Sequence, residues 1–258
     1  MAMIDKHTSR TRVAPATVAL FVTCVGDLVS PGPPRAAVEV LEAMGVRVEV
    51  PRAQTCCGQP ALNSGYPQEA RILARRWLRT FAPYDAVVSV SGSCTATVHH
   101  AYPRLLEGTE RQQAQDLAAK SWEFTQFVAE FGHDLLLRLD ATVTYHDSCH
   151  MLRTLNERES PRTLLGRIEG LRLVEMSDSE VCCGFGGTFA TKMPDVSVTM
   201  ADHKLVNAQE TASHYLVSAD PACLMHLQAR ADATRAGVQT RHIAELVREA
   251  LVVEEVGA

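Results

Sequence analysis

The sequence predicts an α/β protein of two duplicated halves, each a largely parallel sheet flanked by helices, with cysteines at the carboxyl ends of the strands. Three observations predict it. The eight cysteines repeat in order: Cys24 maps to Cys149 at an offset of 125, Cys56 and Cys57 to Cys182 and Cys183 at 126, and Cys94 to Cys223 at 129. Each cysteine position follows a short segment that reads as a strand, β-branched or aromatic before Cys24 and Cys149. Between those segments lie stretches with apolar residues at three- and four-residue steps, the mark of amphipathic helices. Strands alternating with helices make parallel sheets, whose ligands gather where the chain leaves the strand carboxyl ends.

In chain order, ATVALFV (16–22) reads as the strand before Cys24, and 34–44 as a helix with Ala37, Val40, Leu41 and Met44 on one face. VRVEV (46–50) precedes Cys56, a helix over 68–81 carries Ile72, Leu73, Trp77 and Phe81, and DAVVSV (85–90) precedes Cys94. A further helix is expected over 121–131, near the junction. The second half repeats the plan with TVTYH (142–146), a helix over 162–168, LRLVEM (171–176), a helix over 198–211 and HYLVSA (214–219). A helix over 242–252 is expected to close the chain. The repeats are bounded as 14–133 and 140–255.

Composition excludes several classes of function. A hydrophobic fraction of 46% with 21% charged residues is ordinary for a globular chain. A net charge of −5 gives no electrostatic footprint for nucleic acid or an anionic membrane. No window approaches 18 uninterrupted apolar residues, so no transmembrane segment is expected. The start, MAMIDKHTSRTRV, carries Asp5 and lacks the apolar core of a secretory signal, which predicts a cytoplasmic chain.

In that compartment eight cysteines do not read as disulfide staples, and the adjacent pairs fit such a framework poorly. Four thiolates converging in each half instead suit zinc or an iron–sulfur cluster. Structural zinc is usually held by C-x₂₋₄-C clips, and the chain has no C-x-x-C. An adjacent pair set against two distant single cysteines suits a larger cofactor. Cys24, Cys56, Cys57 and Cys94 form one candidate set, and Cys149, Cys182, Cys183 and Cys223 the other. Gly58 and Gly184, each following its pair, are candidates for bringing a backbone amide close to the sulfurs.

The strings FVTCVGD (21–27), CCGQPALNSGY (56–66), SGSC (91–94), CCGFGGTFATKM (182–193) and CLMHL (223–227) carry a resemblance. The repeated pattern is similar to the cysteine-rich CCG domain found in one component of heterodisulfide reductase and in the iron–sulfur component of glycolate oxidase. Over nearly the whole chain it resembles the lactate-utilisation protein A family. The resemblance implies an iron–sulfur component of a multi-protein system oxidising L-lactate to pyruvate, with lactate-utilisation proteins of the B and C types as partners. It implies a part of an L-lactate oxidoreductase complex rather than a complete enzyme, one [4Fe–4S] cluster per repeat, and electron transfer. Contact between L-lactate and this chain, direct or indirect, stays open. The full CCG pattern ends in C-x-x-C, and here Ser91 and Asp220 stand at the first of those positions, so each half offers four cysteines rather than five. Two other readings stay open: a zinc-stabilised scaffold of the same complex, and a thiol–disulfide reductase using the adjacent cysteines.

Other residues carry weaker signals. His146 and His150 flank Cys149 and His226 follows Cys223; four thiolates suffice without them, so a hydrogen-bonded or solvent-facing role is the expectation. His99 and His100 are adjacent, so at most one faces a site. GFGG (184–187) lacks the order of a nucleotide-binding loop, and no base or oxyanion constellation accompanies Cys24 or Cys149 as nucleophiles. Arg153 reads as a surface charge, and Glu254 with Glu255 as a solvated terminus.

Overall fold

The computed structural model describes residues 13–252; the expectations for the first residues and for Glu254 and Glu255 lie outside them. The first half contains β1 (Thr17–Phe21), β2 (Arg47–Glu49), β3 (Val87–Ser89) and β4 (Ser121–Glu123), in the sheet order β2-β1-β3-β4. The second contains β5 (Arg138–Tyr145), β6 (Glu169–Leu173), β7 (Tyr215–Ser218) and β8 (Thr240–His242), in the order β6-β5-β7-β8. Every pairing within both sheets is parallel. The duplication therefore holds for topology as well as for cysteine spacing.

Alternation along the strands divides the core in three. Val18 and Leu20 of β1 face one way, into a core that also holds Val143 and Tyr145 of β5 and Val217 of β7. Ala19 and Phe21 face the other way, into a core private to the first half with Trp77, Phe81 and Tyr102. The second half has its own outer core around Leu205, Leu216 and Leu227. Each outer core ends at cysteines: Cys57 and Cys94 in one, Cys183 and Cys223 in the other.

The shared core is closed by an exchange of helices. Phe124–Phe131, the last helix of the first half, packs on Glu159–Gly166 of the second. Ile243–Ala250, the last helix of the second half, packs on Gly32–Ala43 of the first.

Two expected helices begin with a strand. The stretch 121–131 opens as β4 before its helix starts at Phe124, and 242–252 opens as the end of β8 before its helix starts at Ile243. Three-residue strands are too short to show alternation, and the helical pattern runs straight through them. Both junctions use one device: Glu123 and His242 each close β-structure and cap the following helix through a reciprocal capping box. The structure adds the helices Gly108–Ala118 and Pro221–Thr234, and the helix expected over 198–211 begins earlier, as Pro194–Glu210.

Candidate metal centre

In the first half Cys24 opens the helix Cys24–Leu28, directly after Thr23, whose φ of 69° is strained for a residue with a side chain. The Thr23 hydroxyl accepts the Gly26 amide at 3.3 Å and caps that helix. Gln54 ties the neighbouring loop to the end of β1, accepting from the Val22 amide at 2.8 Å and donating to the Leu20 carbonyl at 3.2 Å. Cys56 then lies with its sulfur 3.5 Å from that of Cys24. Cys57, buried behind it, faces both Cys56 and Cys94, and the Tyr102 hydroxyl donates to the Cys57 carbonyl at 2.9 Å.

The second half repeats this arrangement. Cys149 opens the helix Cys149–Arg153 and faces Cys182, while Cys183 faces Cys182 and Cys223. Both glycines after the cysteine pairs donate amides to sulfur: Gly58 to Cys56 at 3.4 Å, and Gly184 to Cys182 at 3.4 Å. Their φ values of 88° and 92° favour glycine, and a Cβ on Gly184 would lie 2.5 Å from the Ser197 carbonyl oxygen.

The thiols in each set are electrostatically unequal. Hydrogen bonds from Cys24, from Cys57 and from the Gly58 amide hold Cys56 well below the usual thiol range. Cys182 is held low in the same way by Cys149, Cys183 and the Gly184 amide. Donation to those two sulfurs, followed by burial, pushes Cys24 and Cys149 up; the buried Cys57 and Cys183 also rise, first through their contact with the neighbouring low thiol. One thiolate therefore forms readily in each set and opposes the ionisation of its neighbours. A bound cation removes that opposition, because coordination deprotonates thiols outright. All eight cysteines are free, and the four thiols of each half fit a thiolate-held metal centre.

Ser91 and Asp220, at the positions of the extra cysteines in the full pattern, are helix caps. The Ser91 hydroxyl accepts the Cys94 amide at 3.3 Å, and one Asp220 oxygen accepts the Ala222 amide at 3.2 Å. The other Asp220 oxygen accepts the Ser93 amide at 2.9 Å, across the junction of the halves. The halves also meet at their cysteine-bearing helices: Gly92–Ala96, with Cys94, packs on Cys149–Arg153, and Cys24–Leu28 touches Pro221–Thr234, with Cys223. A Cβ on Gly92 would meet that of Met151 at 2.7 Å, so this approach depends on glycine. Gln59, Asn63 and Ser93 of the first half line the crevice that contains the second cysteine set.

The remaining signals separate. His99 donates from Nε2 to the Ser121 carbonyl at 2.8 Å, held there on the π-helical turn Thr97–Ala101. His150 lies with Nδ1 3.5 Å from the Cys149 sulfur, and His226 with Nε2 3.3 Å from the Ser197 hydroxyl, which donates to the Gly184 carbonyl at 2.8 Å. Arg153 donates to the Glu180 carbonyl at 3.2 Å. Gly186 and Gly187 line the second crevice. His146 is fully buried, and its Nε2 has no hydrogen-bond partner. Burial, together with the nearby Lys204 charge, lowers its pKa to about 4. Nothing in the sequence marks Lys204, which lies on the helical face that packs inward, where lysine is rare.

The comparisons agree with this organisation. The family model for the CCG cysteine-rich domain matches twice, over residues 18–99 and 143–228. A protein named lactate utilization protein A from Geobacillus thermodenitrificans is 42% identical over 234 residues, covering 89% of this chain and 98% of the relative. Its namesake from Halalkalibacterium halodurans is 43% identical over 234 residues, covering 89% and 96%. A solved structure of a hypothetical protein from Helicobacter pylori matches with a TM-score of 0.68 at 12% identity, a likeness of fold. That match covers 97% of this chain, which spans only 52% of the Helicobacter pylori protein. By identity over most of its length to these relatives, and by its twice-matched cysteine-rich domain, the chain belongs to the lactate utilization protein A family.

Proposed function

We propose that this protein takes part in lactate utilization as the iron–sulfur component of a multi-protein system that oxidises L-lactate to pyruvate. Each repeat, 14–133 and 140–255, would hold one cluster, and partners of the B and C types would complete the system. The observation that carries this reading is the pair of matching four-thiol sets, built on equivalent strand ends, in a chain of this family. Cys24, Cys56, Cys57 and Cys94 would hold the first cluster; Cys149, Cys182, Cys183 and Cys223 the second. A bound [4Fe–4S] cluster supplies one-electron acceptance and release.

The chain's own residues set the conditions for that chemistry. The Gly58 and Gly184 amides donate to sulfur and disperse thiolate charge, which raises a cluster's reduction potential. The outer cores keep water from the buried Cys57 and Cys183. The cysteine-bearing helices of opposite halves pack on each other, Gly92–Ala96 on Cys149–Arg153 and Cys24–Leu28 on Pro221–Thr234. Among the described residues no helix is long and apolar enough to cross a membrane.

The test is anaerobic purification followed by iron, zinc and acid-labile sulfide analysis with a visible spectrum. Iron and sulfide in near-equal amounts, lost from one repeat in Cys57→Ser and from the other in Cys183→Ser, is the expected result. Zinc without sulfide would make the thiols structural staples and move the redox role to a partner. The 3.5 Å approach of Cys24 to the low-pKa Cys56 also suits thiol–disulfide exchange. Reductase activity in metal-free protein would favour that reading, and strict dependence on iron would exclude it.

A further inference from the structure

The two cysteine sets have different back walls. Phe21 stands three residues before Cys24, and His146 stands three before Cys149. Trp77 is the tenth residue after Pro67, which opens its helix, and Lys204 the tenth after Pro194, which opens the equivalent helix. In the first half this pair is apolar, with the Phe21 and Trp77 rings edge to face at 6.0 Å. In the second half it is a buried imidazole and a buried ammonium, both turned to the Ser179 carbonyl: His146 Nδ1 at 3.3 Å and Lys204 Nζ at 3.2 Å. The exchange is paired, and it occurs behind one cysteine set only.

Hydrogen bonding fixes the protonation of His146. A carbonyl oxygen can only accept, so the proton of the neutral ring resides on Nδ1 and the lone pair on Nε2. The backbone is pinned as well, with the His146 amide donating to the Val217 carbonyl at 2.8 Å and the Ser218 hydroxyl to the His146 carbonyl at 2.9 Å. Nε2 is left buried without a partner, and a ring nitrogen of His146 lies within 4.8 Å of the sulfurs of both Cys183 and Cys223. A lone pair buried without a donor is costly unless something accepts it. An imidazole whose other nitrogen donates to a backbone carbonyl is the usual arrangement of a histidine metal ligand.

We propose that His146, through Nε2, is a ligand of the metal centre held by Cys183 and Cys223, in place of one of the other two thiolates of that set, Cys149 or Cys182, so that the second repeat binds through three thiolates and an imidazole and the first through four thiolates. This rests on the reading that the repeats hold iron–sulfur centres. Its consequence is an ordered pair of sites. Imidazole brings no negative charge, and replacing thiolate by imidazole raises the potential of an iron–sulfur centre. The buried Lys204 adds a positive charge on the same side, so the second repeat is the site that is reduced first.

The test is pulsed electron paramagnetic resonance on the anaerobically purified, partly reduced full-length protein, with and without ¹⁵N-histidine labelling. Iron and sulfide are counted on each sample. A directly coordinated nitrogen that changes on labelling, persists in His150→Asn and disappears in His146→Phe is the expected result. The midpoint of the second centre should fall in His146→Phe while that of the first stays in place. Wild-type protein with full iron and sulfide but no coupled histidine nitrogen would overturn the ligation and leave the cluster reading standing, and this arm does not depend on the variant folding. Coupling that survives in His146→Phe would overturn it equally. Wild-type protein without iron and sulfide would bring down the cluster reading and this proposal together.

Discussion

Single atoms decide whether each cysteine loop can form. At Gly184 a methyl group would sit 2.5 Å from the Ser197 carbonyl oxygen, on a backbone with φ of 92°. Such strain costs about 1–3 kcal/mol, and relieving it means moving the amide away from the Cys182 sulfur. Gly184→Ala should therefore deplete metal from the second repeat while the first keeps its own, read as iron per chain against Gly58→Ala. Equal loss from both repeats in Gly184→Ala would count against a local effect. Glu123 is a different case. It is fully buried, one oxygen accepts the Thr125 amide at 2.7 Å, and the other has no partner. Burial pushes its pKa up from 4.5 to about 8. Between those values the folded state binds more protons than the unfolded state, so stability falls as pH rises and levels off above the folded pKa. Glu123→Gln keeps a cap acceptor and cannot ionise. Denaturant midpoints taken across the range from mildly acidic to alkaline pH should lose this downward slope in the variant, which should be the more stable protein at the alkaline end. Parallel slopes in variant and wild type would refute the assignment.

Among the elements, the loop from β5 to Cys149 is held by one ion-pair network. Asp147 and Arg162 are joined by two hydrogen bonds, at 2.8 and 2.9 Å, with side-chain exposures of 2% and 16%. The Ser179 hydroxyl donates to Asp147 at 3.0 Å, Glu175 takes the other edge of the guanidinium, and that group lies 5.4 Å from the centre of the Tyr145 ring. Removing one partner of a buried pair costs about 3–5 kcal/mol. Asp147→Ala should cost near the lower end, because Glu175 still holds Arg162, and urea unfolding measures it. No change in midpoint would show that the pair contributes nothing. Asp147 lies next to His146, yet nothing in the sequence joins it to Arg162, since such pairs depend on where strands and helices end. The cysteine repeat is legible because equal spacings survive any displacement of the intervening loops. Five of the six other strands are legible from β-branched residues, and β6, Glu169–Leu173, from its alternating Leu171 and Leu173. β4 and β8 are hidden by the helical patterns that continue through them, and so is the capping role of Glu123 and His242. His146 is visible in the sequence, but its significance lies in the Ser179 carbonyl contact, which only the folded chain supplies.

At the scale of the molecule, two repeats in sequence form one shared core. The helix Ile243–Ala250 completes the first half, and Phe124–Phe131 completes the second. Either half alone would expose Val40 and Leu41, or Leu164 and Leu165, all now fully buried. Cooperative unfolding of both halves follows, and it can be read in one half while the other is perturbed. The two tryptophans, Trp77 and Trp122, both lie in the first half. Leu227 lies in the outer core private to the second half and is fully buried. Truncating such a leucine to alanine costs about 2–5 kcal/mol. If the halves unfold as one unit, Leu227→Ala should shift the tryptophan-reported transition by the same amount as the transition seen in far-ultraviolet circular dichroism. An unmoved tryptophan transition would mean that the repeats unfold separately despite the exchanged helices. Coupling of this kind bears on function, because helices carrying Cys94 and Cys149 meet at the same junction. A junction that opened independently of the halves would part the helices that carry Cys94 and Cys149, and a junction that yields only on global unfolding keeps those helices packed throughout the life of the folded chain.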